Sequence, residues 1–172
     1  MQNRYGFGRT VTSGFADTLA RVTAELATEG FGVLTEIDVQ ATLKKKLDKD
    51  VPPQRILGAC NPPFAAQALA AEPSIGLLMP CNVGVRQDAQ GTVHVEFLDP
   101  VALFELTGRA DVEPLAREVR APLERVLAAA SAPSTPLEQN LGLAAALRVH
   151  ASVTAPAAAR ERRLRRWAVG AA

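Results

Sequence analysis

The sequence predicts an α+β fold: a two-layer sandwich in which a mixed β-sheet carries helices mainly on one face, followed by a C-terminal extension. Three observations predict it. Apolar residues recur with the two-residue period of strands and the 3.6-residue period of helices in alternating blocks, in the order β-α-β-α-β-α-β-β-α. The last two strand blocks flank the turn-forming run Asp88-Ala89-Gln90-Gly91, as in a hairpin. Composition then changes near Ser131–Pro136, where a Pro/Ser/Thr stretch separates a patterned body, residues 1–132, from an Ala-, Arg- and Pro-rich tail, residues 133–172, expected to be disordered or loosely helical.

Each element has its own signal. The run Arg4–Thr12 puts Tyr5, Phe7 and Val11 on one side, with glycines between them, and reads as a first strand into which another backbone fits closely. Ser13 is placed to cap a helix whose Phe15, Leu19, Val22 and Leu26 form one apolar stripe. Gly30 ends it, because glycine accepts the left-handed conformation of a helix terminus. Phe31–Val39 is rich in β-branched residues and reads as the second strand, and Gln40–Leu47 as a short helix stopped by Val51-Pro52-Pro53. Arg55–Cys60 reads as a buried strand and Pro62–Ala71 as a helix with prolines tolerated in its first turn. Gly76–Arg86 and Thr92–Leu98 form the hairpin pair, the second with Val93, Val95 and Phe97 on one face and His94 and Glu96 on the other. From about Val112 a last helix carries Leu115, Val119, Leu123, Val126 and Leu127, and Pro122 inside it is expected to kink or split it.

Composition narrows the function. The chain has 172 residues and a net charge of +1, so the body has no general affinity for nucleic acid. The balance is uneven: the body carries 13 Lys+Arg against 16 Asp+Glu, and the tail six Arg against Glu138 and Glu161. Around RERRLRRWAV the tail sets Leu164, Trp167 and Ala168 among arginines, a pattern that suits weak contact with an anionic surface, or plain solvation of a disordered segment. No apolar run reaches the ~18 residues of a transmembrane helix. The first residues lack the apolar segment of a secretion signal, so a cytoplasmic location is expected, with thiols reduced.

The two cysteines carry the most chemical information. Cys60-Asn61 in RILGACNPP and Cys81-Asn82 in LLMPCNVGV are matching dipeptides, each in an apolar run beside a residue that bends the backbone. Brought together by a sheet, two thiols can hold a soft metal such as Cu(I) or Zn(II), or cycle between dithiol and disulfide. Equally, free cysteine is a small buried hydrophobe. Asn61 and Asn82 can orient a ligand through both donor and acceptor, or bond their own backbone. Asp38, with Glu36, and Asp99 stand at strand ends, where ligand crevices of α/β sheets lie and where helix caps also lie. The lysine run 44–46 is read as a solvated face. Gly6-Phe7-Gly8 and Gly30-Phe31-Gly32 lack the third glycine of a dinucleotide loop, and no Ser-His-Asp order, HExxH or P-loop occurs.

The succession YGFGRTV, GFGVLTEIDV, RILGACNP, IGLLMPCNV and Asp99-Pro100 resembles, over about residues 5–130, the bacterial and archaeal family called domain of unknown function 302. The resemblance implies a compact α/β domain, a homodimer, and no established activity. Its pattern falls on Gly58, Cys60, Asn61 and Pro62, on Pro80, Cys81 and Asn82, and on Glu36, Asp38 and Asp99. Pro122 departs from the family's unbroken last helix, and the tail lies outside the resemblance.

The leading expectation is a homodimeric domain that holds a small ligand or soft metal near Cys60, Asn61, Cys81, Asn82, Asp38 and Asp99, with Cys60 and Cys81 as metal ligands. No particular cofactor or reaction is indicated. Two alternatives come from other classes: a redox or nucleophilic enzyme using one of the thiols, and an interaction module with no small-molecule site.

Overall fold

A computed structural model describes residues 3–132. The expected boundary at Ser131–Pro136, the tail with its Trp167, and His150 lie outside the described residues or at their limit. Five strands, β1 (Gly6–Val11), β2 (Gly32–Asp38), β3 (Gln54–Cys60), β4 (Cys81–Gln87) and β5 (Val93–Leu98), form one sheet in the order β1-β5-β4-β3-β2. The helices are α1 (Phe15–Thr28), α2 (Val39–Leu47), α3 (Pro62–Ala71), α4 (Pro100–Glu105) and α5 (Glu113–Ala130). The α+β class stands.

The expected mixed sheet is corrected: every neighbouring pair is antiparallel. The cause lies in the connections, because a parallel neighbour requires a crossover from one sheet end to the other. After β3, α3 leads away from the sheet end and a 3₁₀ turn at Pro73–Leu78 follows before β4. That turn occupies residues read as the start of a strand, so β4 begins only at Cys81. After β2, α2 is closed by Asp48 in a left-handed conformation (φ 51°) and the following five residues lead back to β3.

The register shows how the sequence sorts its side chains. Phe7, Phe97, Val83 and Leu57 stand abreast across β1, β5, β4 and β3, all buried, on the face that packs against Val22 and Leu26 of α1 and Val119, Leu123 and Val126 of α5. One position along, Gly8, Glu96, Gly84, Ile56 and Ile37 form the corresponding row on the other face. A second apolar cluster, Ala68, Ile75, Phe104, Val112 and Ala116, joins α3, the 3₁₀ turn, α4 and α5 beyond the sheet's end. Arg125 of α5 clasps Glu29 beyond α1 through both carboxylate oxygens, at 2.8 and 2.7 Å.

Three local expectations change. Gly14, not Ser13, precedes α1 and gives it no side-chain cap. A short helix α4, capped by Asp99, fills the stretch before α5. Pro122 sits inside a continuous α5. It is itself buried, so its burial helps offset the roughly 3 kcal/mol that an interior proline costs a helix.

Candidate functional site

Antiparallel pairing of β3 with β4 sets Ala59 opposite Cys81, so Cys60 and Cys81 are diagonal neighbours at two strand ends, Cys81 in register with the core face and Cys60 in register with the face of Gly58 and Asn82. Each motif has one local feature that holds it in place. Gly58 has no side chain, and a Cβ there would come within 2.3 Å of Thr35 Oγ1 and 2.7 Å of Pro80 Cγ, so Pro80 rests directly on β3. Asn61 caps α3: its Oδ1 accepts from Phe64 N at 3.4 Å, and its Nδ2 donates to the Glu29 carbonyl at 3.3 Å.

Cys60, Asn61, Met79 and Cys81 line one cavity of about 40 Å³ between the sheet core and the second apolar cluster. Its other walls are hydrocarbon, including Phe31, Phe64, Ile75 and Phe104. Both thiols are free and half-buried. Burial, with a smaller contribution from the neighbouring Cys60, pushes the Cys81 thiol from 9.0 up to about 11.

The remaining expected site residues do not join them. Asn82 points to the other face, where it lines an open groove of about 280 Å³ with Tyr5, Gly6, Gly8, Gly84 and Glu96. Asp38 caps α2, accepting from Ala41 N at 2.8 Å, and pairs with Arg55 at 2.8 Å; Arg55 also holds Glu36 at 3.2 Å. Opposite Arg55 in register, Asp38 is five residues along β3 from Cys60, roughly 17 Å at strand rise. Asp99 lies at the cysteine end, but its carboxylate is engaged by Val101 N at 3.0 Å and Arg120 at 2.8 Å. Each aspartate is thus a helix cap locked by an arginine, and the expected acidic group is two separate ion pairs. His94, on the face of β5 opposite Val93 and Val95, is 8% exposed and bonds Asp88 at 2.8 Å at the opposite end of β4 from Cys81. Among the described residues no three His, Cys, Asp or Glu side chains come together as a metal centre. The sequence reading missed Met79; its signal was a third sulfur two positions before Cys81.

The Cys81 environment has a measurable consequence for folding. A thiol whose folded value is raised contributes stability that is complete below the unfolded value of 9.0 and is lost as pH rises through about 11. Relative to a Cys81→Val variant, the wild type is expected to lose an additional 2–3 kcal/mol or so between about pH 8 and about pH 11, read from urea unfolding at each pH. Parallel pH profiles for the two proteins would show that this thiol is solvated.

Residues 7–130 match the family model described as Domain of unknown function DUF302. The chain is similar to an uncharacterized conserved DUF302 protein from Bacillus stearothermophilus, whose crystal structure superposes with a TM-score of 0.70 at 28% identity, covering 73% of this chain and 98% of that one. No curated protein matches the chain. Among the described residues no helix is long and apolar enough to cross a membrane.

Proposed function

This chain belongs to the DUF302 family, and we propose that it is a homodimeric binding domain whose Cys60–Cys81 cavity holds a very small ligand or a soft metal ion. One observation carries the reading: two motifs 21 positions apart, alike in sequence, end on the walls of the same cavity. The arrangement disfavours a thiol enzyme. A catalytic cysteine needs thiolate character, supplied by a neighbouring base or positive charge, whereas the Cys81 proton is held more tightly than usual. No imidazole or carboxylate lines the cavity to take that proton, and about 40 Å³ leaves no room for an organic substrate beside the sulfur. Because both sulfurs must be thiols, the proposal places the protein in a reducing compartment such as the cytoplasm.

Dimerisation draws on a different surface. Strand β2 is an edge strand with Leu34 and Ile37 67% and 49% exposed, and Tyr5 on the uncovered side is 68% exposed. An unpaired edge with apolar side chains is a template for pairing with a second copy.

Native mass spectrometry of reduced protein purified from its own host tests both parts. Expected is twice the 18.2 kDa chain mass plus a constant small adduct, with both thiols slow to alkylate until the adduct is removed. A single fast-reacting thiol would favour the enzyme instead. Two thiols inert with no adduct would favour an interaction module, and monomer alone at micromolar concentration would remove the dimer.

A further inference from the structure

We propose that the sheet face opposite α1 and α5 carries a second binding site, for a small planar heterocycle whose edge presents two N–H donors, as the edge of guanine does. The site is separate from the thiol cavity and does not rest on it. A glycine, a groove and a charge point to it together.

Gly84 lies in the interior of β4, where glycine weakens a strand and marks a bulge, a bend, or the close approach of a ligand or another backbone. The chain itself supplies no such reason. Around Gly84, β4 keeps an unbroken register with β3 and β5, its φ is not left-handed, and the atom nearest to a Cβ there, the Glu96 carbonyl oxygen, is at an ordinary 3.9 Å. Gly6 and Gly8 differ, because β5 carbonyl oxygens stand 2.8 and 2.4 Å from where their Cβ atoms would be. The fold accounts for those two glycines and leaves the third to whatever lies above it.

Above Gly84 is the open groove of about 280 Å³, which it shares with Tyr5, Gly8, Ile56, Asn82 and Glu96. Pockets that take organic ligands begin at roughly 300 Å³, so one small ring system is the right size. Gly8 and Gly84 both pair with Glu96, so bare backbone floors the groove on either side of that carboxylate. A flat molecule can lie on such a floor. Tyr5, 68% exposed, adds a ring for stacking.

The register places the polar groups. Glu96 stands opposite Gly84 and Asn82 is two positions from Gly84, so the two side chains share a face as diagonal neighbours, about 7–8 Å apart. One ring edge with its hydrogen bonds spans that gap. Glu96 is the only charged residue that lines the groove, so the complementary ligand donates hydrogen bonds and carries no negative charge. Arg86 steadies Glu96 from the side, with Nε 2.8 Å from one oxygen and Nη2 3.4 Å from the other. A carboxylate has about four lone-pair sites, which leaves room for two further donors. Guanine supplies them from its ring N–H and exocyclic amine, and the Asn82 amide nitrogen donates to the adjacent carbonyl oxygen. A phosphate has no basic residue to meet in the groove, so a base or nucleoside fits and a nucleotide gains nothing.

The test is titration of the full chain, isotope-labelled at glycine, with guanosine, read from the Gly8 and Gly84 amide resonances, with native mass spectrometry of every variant. Expected is saturable one-to-one binding that shifts both amides. Inosine, which lacks the exocyclic amine, should bind at least about tenfold more weakly, and guanosine monophosphate within about twofold of guanosine. Gly84→Ala sets a methyl group on the floor without a clash in the free protein, and it and Glu96→Gln should each weaken binding at least about tenfold. If Glu96→Gln fails to fold, Gly84→Ala and the inosine comparison still decide. Equal binding of inosine and guanosine, unchanged affinity in Gly84→Ala, or no shift at millimolar guanosine overturns the proposal. So does wild-type protein that ignores guanosine while Gly84→Ala changes its native mass, since the face would then be an interface between copies.

Discussion

Replacing Phe97 with alanine is expected to cost about 3–5 kcal/mol of folding stability. Phe97 is 2% exposed and stands in the middle of the buried row, opposite Phe7 on β1 and Val83 on β4. Its ring lies nearly parallel to that of Phe7, with centroids 5.7 Å apart, and the Arg120 guanidinium covers Phe7 at 5.2 Å. Truncation therefore removes the contacts of one large side chain and leaves a second ring without its neighbour. Since domains of this size are stable by about 5–15 kcal/mol, the loss is a large fraction of the total. A lower urea midpoint with an unchanged m-value is the expected result. A loss under about 1 kcal/mol, against the usual range for buried aromatics, would mean that the core is centred elsewhere.

Gly8→Ala is expected to destabilise by about 2–3 kcal/mol, although alanine is intrinsically the better strand residue. A Cβ at position 8 would lie 2.4 Å from the Val95 carbonyl oxygen and 3.0 Å from Glu96 Cα. These are backbone atoms of the partner strand, so relief comes only by separating β1 from β5. Gly84, in the same row, provides the control. The closest atom to a Cβ there is the Glu96 carbonyl oxygen at 3.9 Å, an ordinary contact, and Gly84→Ala should raise stability by up to about 1 kcal/mol. Thermal melts of the two variants, with hydrogen exchange of the β1 amides, check the contrast. The same sign of effect at both positions would show that strand proximity is not what selects glycine at position 8.

These glycines also indicate what can be read from sequence. Gly6 and Gly8 between apolar residues suggested a closely approached strand, and the partner carbonyls lie where that reading needs them. The α1 stripe, the limits of α3 and the β4–β5 hairpin were legible because each follows from local chemistry: periodicity, proline at a helix start, turn residues. Strand direction was not legible, because it depends on whether α2 and α3 cross the sheet or return to the same end. Pro122 does not split α5, because a buried proline within one helix is held by its burial as well as by local backbone geometry. In the candidate site, Cys60 and Cys81 stand on neighbouring strand ends because β3 and β4 are adjacent, but the pair is antiparallel and its connection is a helix followed by a 3₁₀ turn. Asn82 went to the opposite face because alternation along β4 separates neighbours. Asp38 and Asp99 have the same local role, a helix cap, and position along the sheet keeps them apart. Met79 was passed over because methionine in an apolar run is indistinguishable from core until the cavity beside it is seen.

The strand order has a consequence for how the protein is made. Strands β1 and β2 are consecutive in the chain yet occupy the two opposite edges of the sheet. As the ribosome releases the chain, β2, β3 and β4 can zip in the order of their synthesis. The partner of β1 does not exist until Val93–Leu98 has been translated, since Gly6 pairs with Leu98, 92 positions downstream. The entropy of closing so long a loop grows only slowly with its length, so the constraint on β1 is one of time. Through the synthesis of most of the body, the Phe7 ring and the backbone groups that will meet β5 have no partner in that strand. The first strand to be made is the last to be placed.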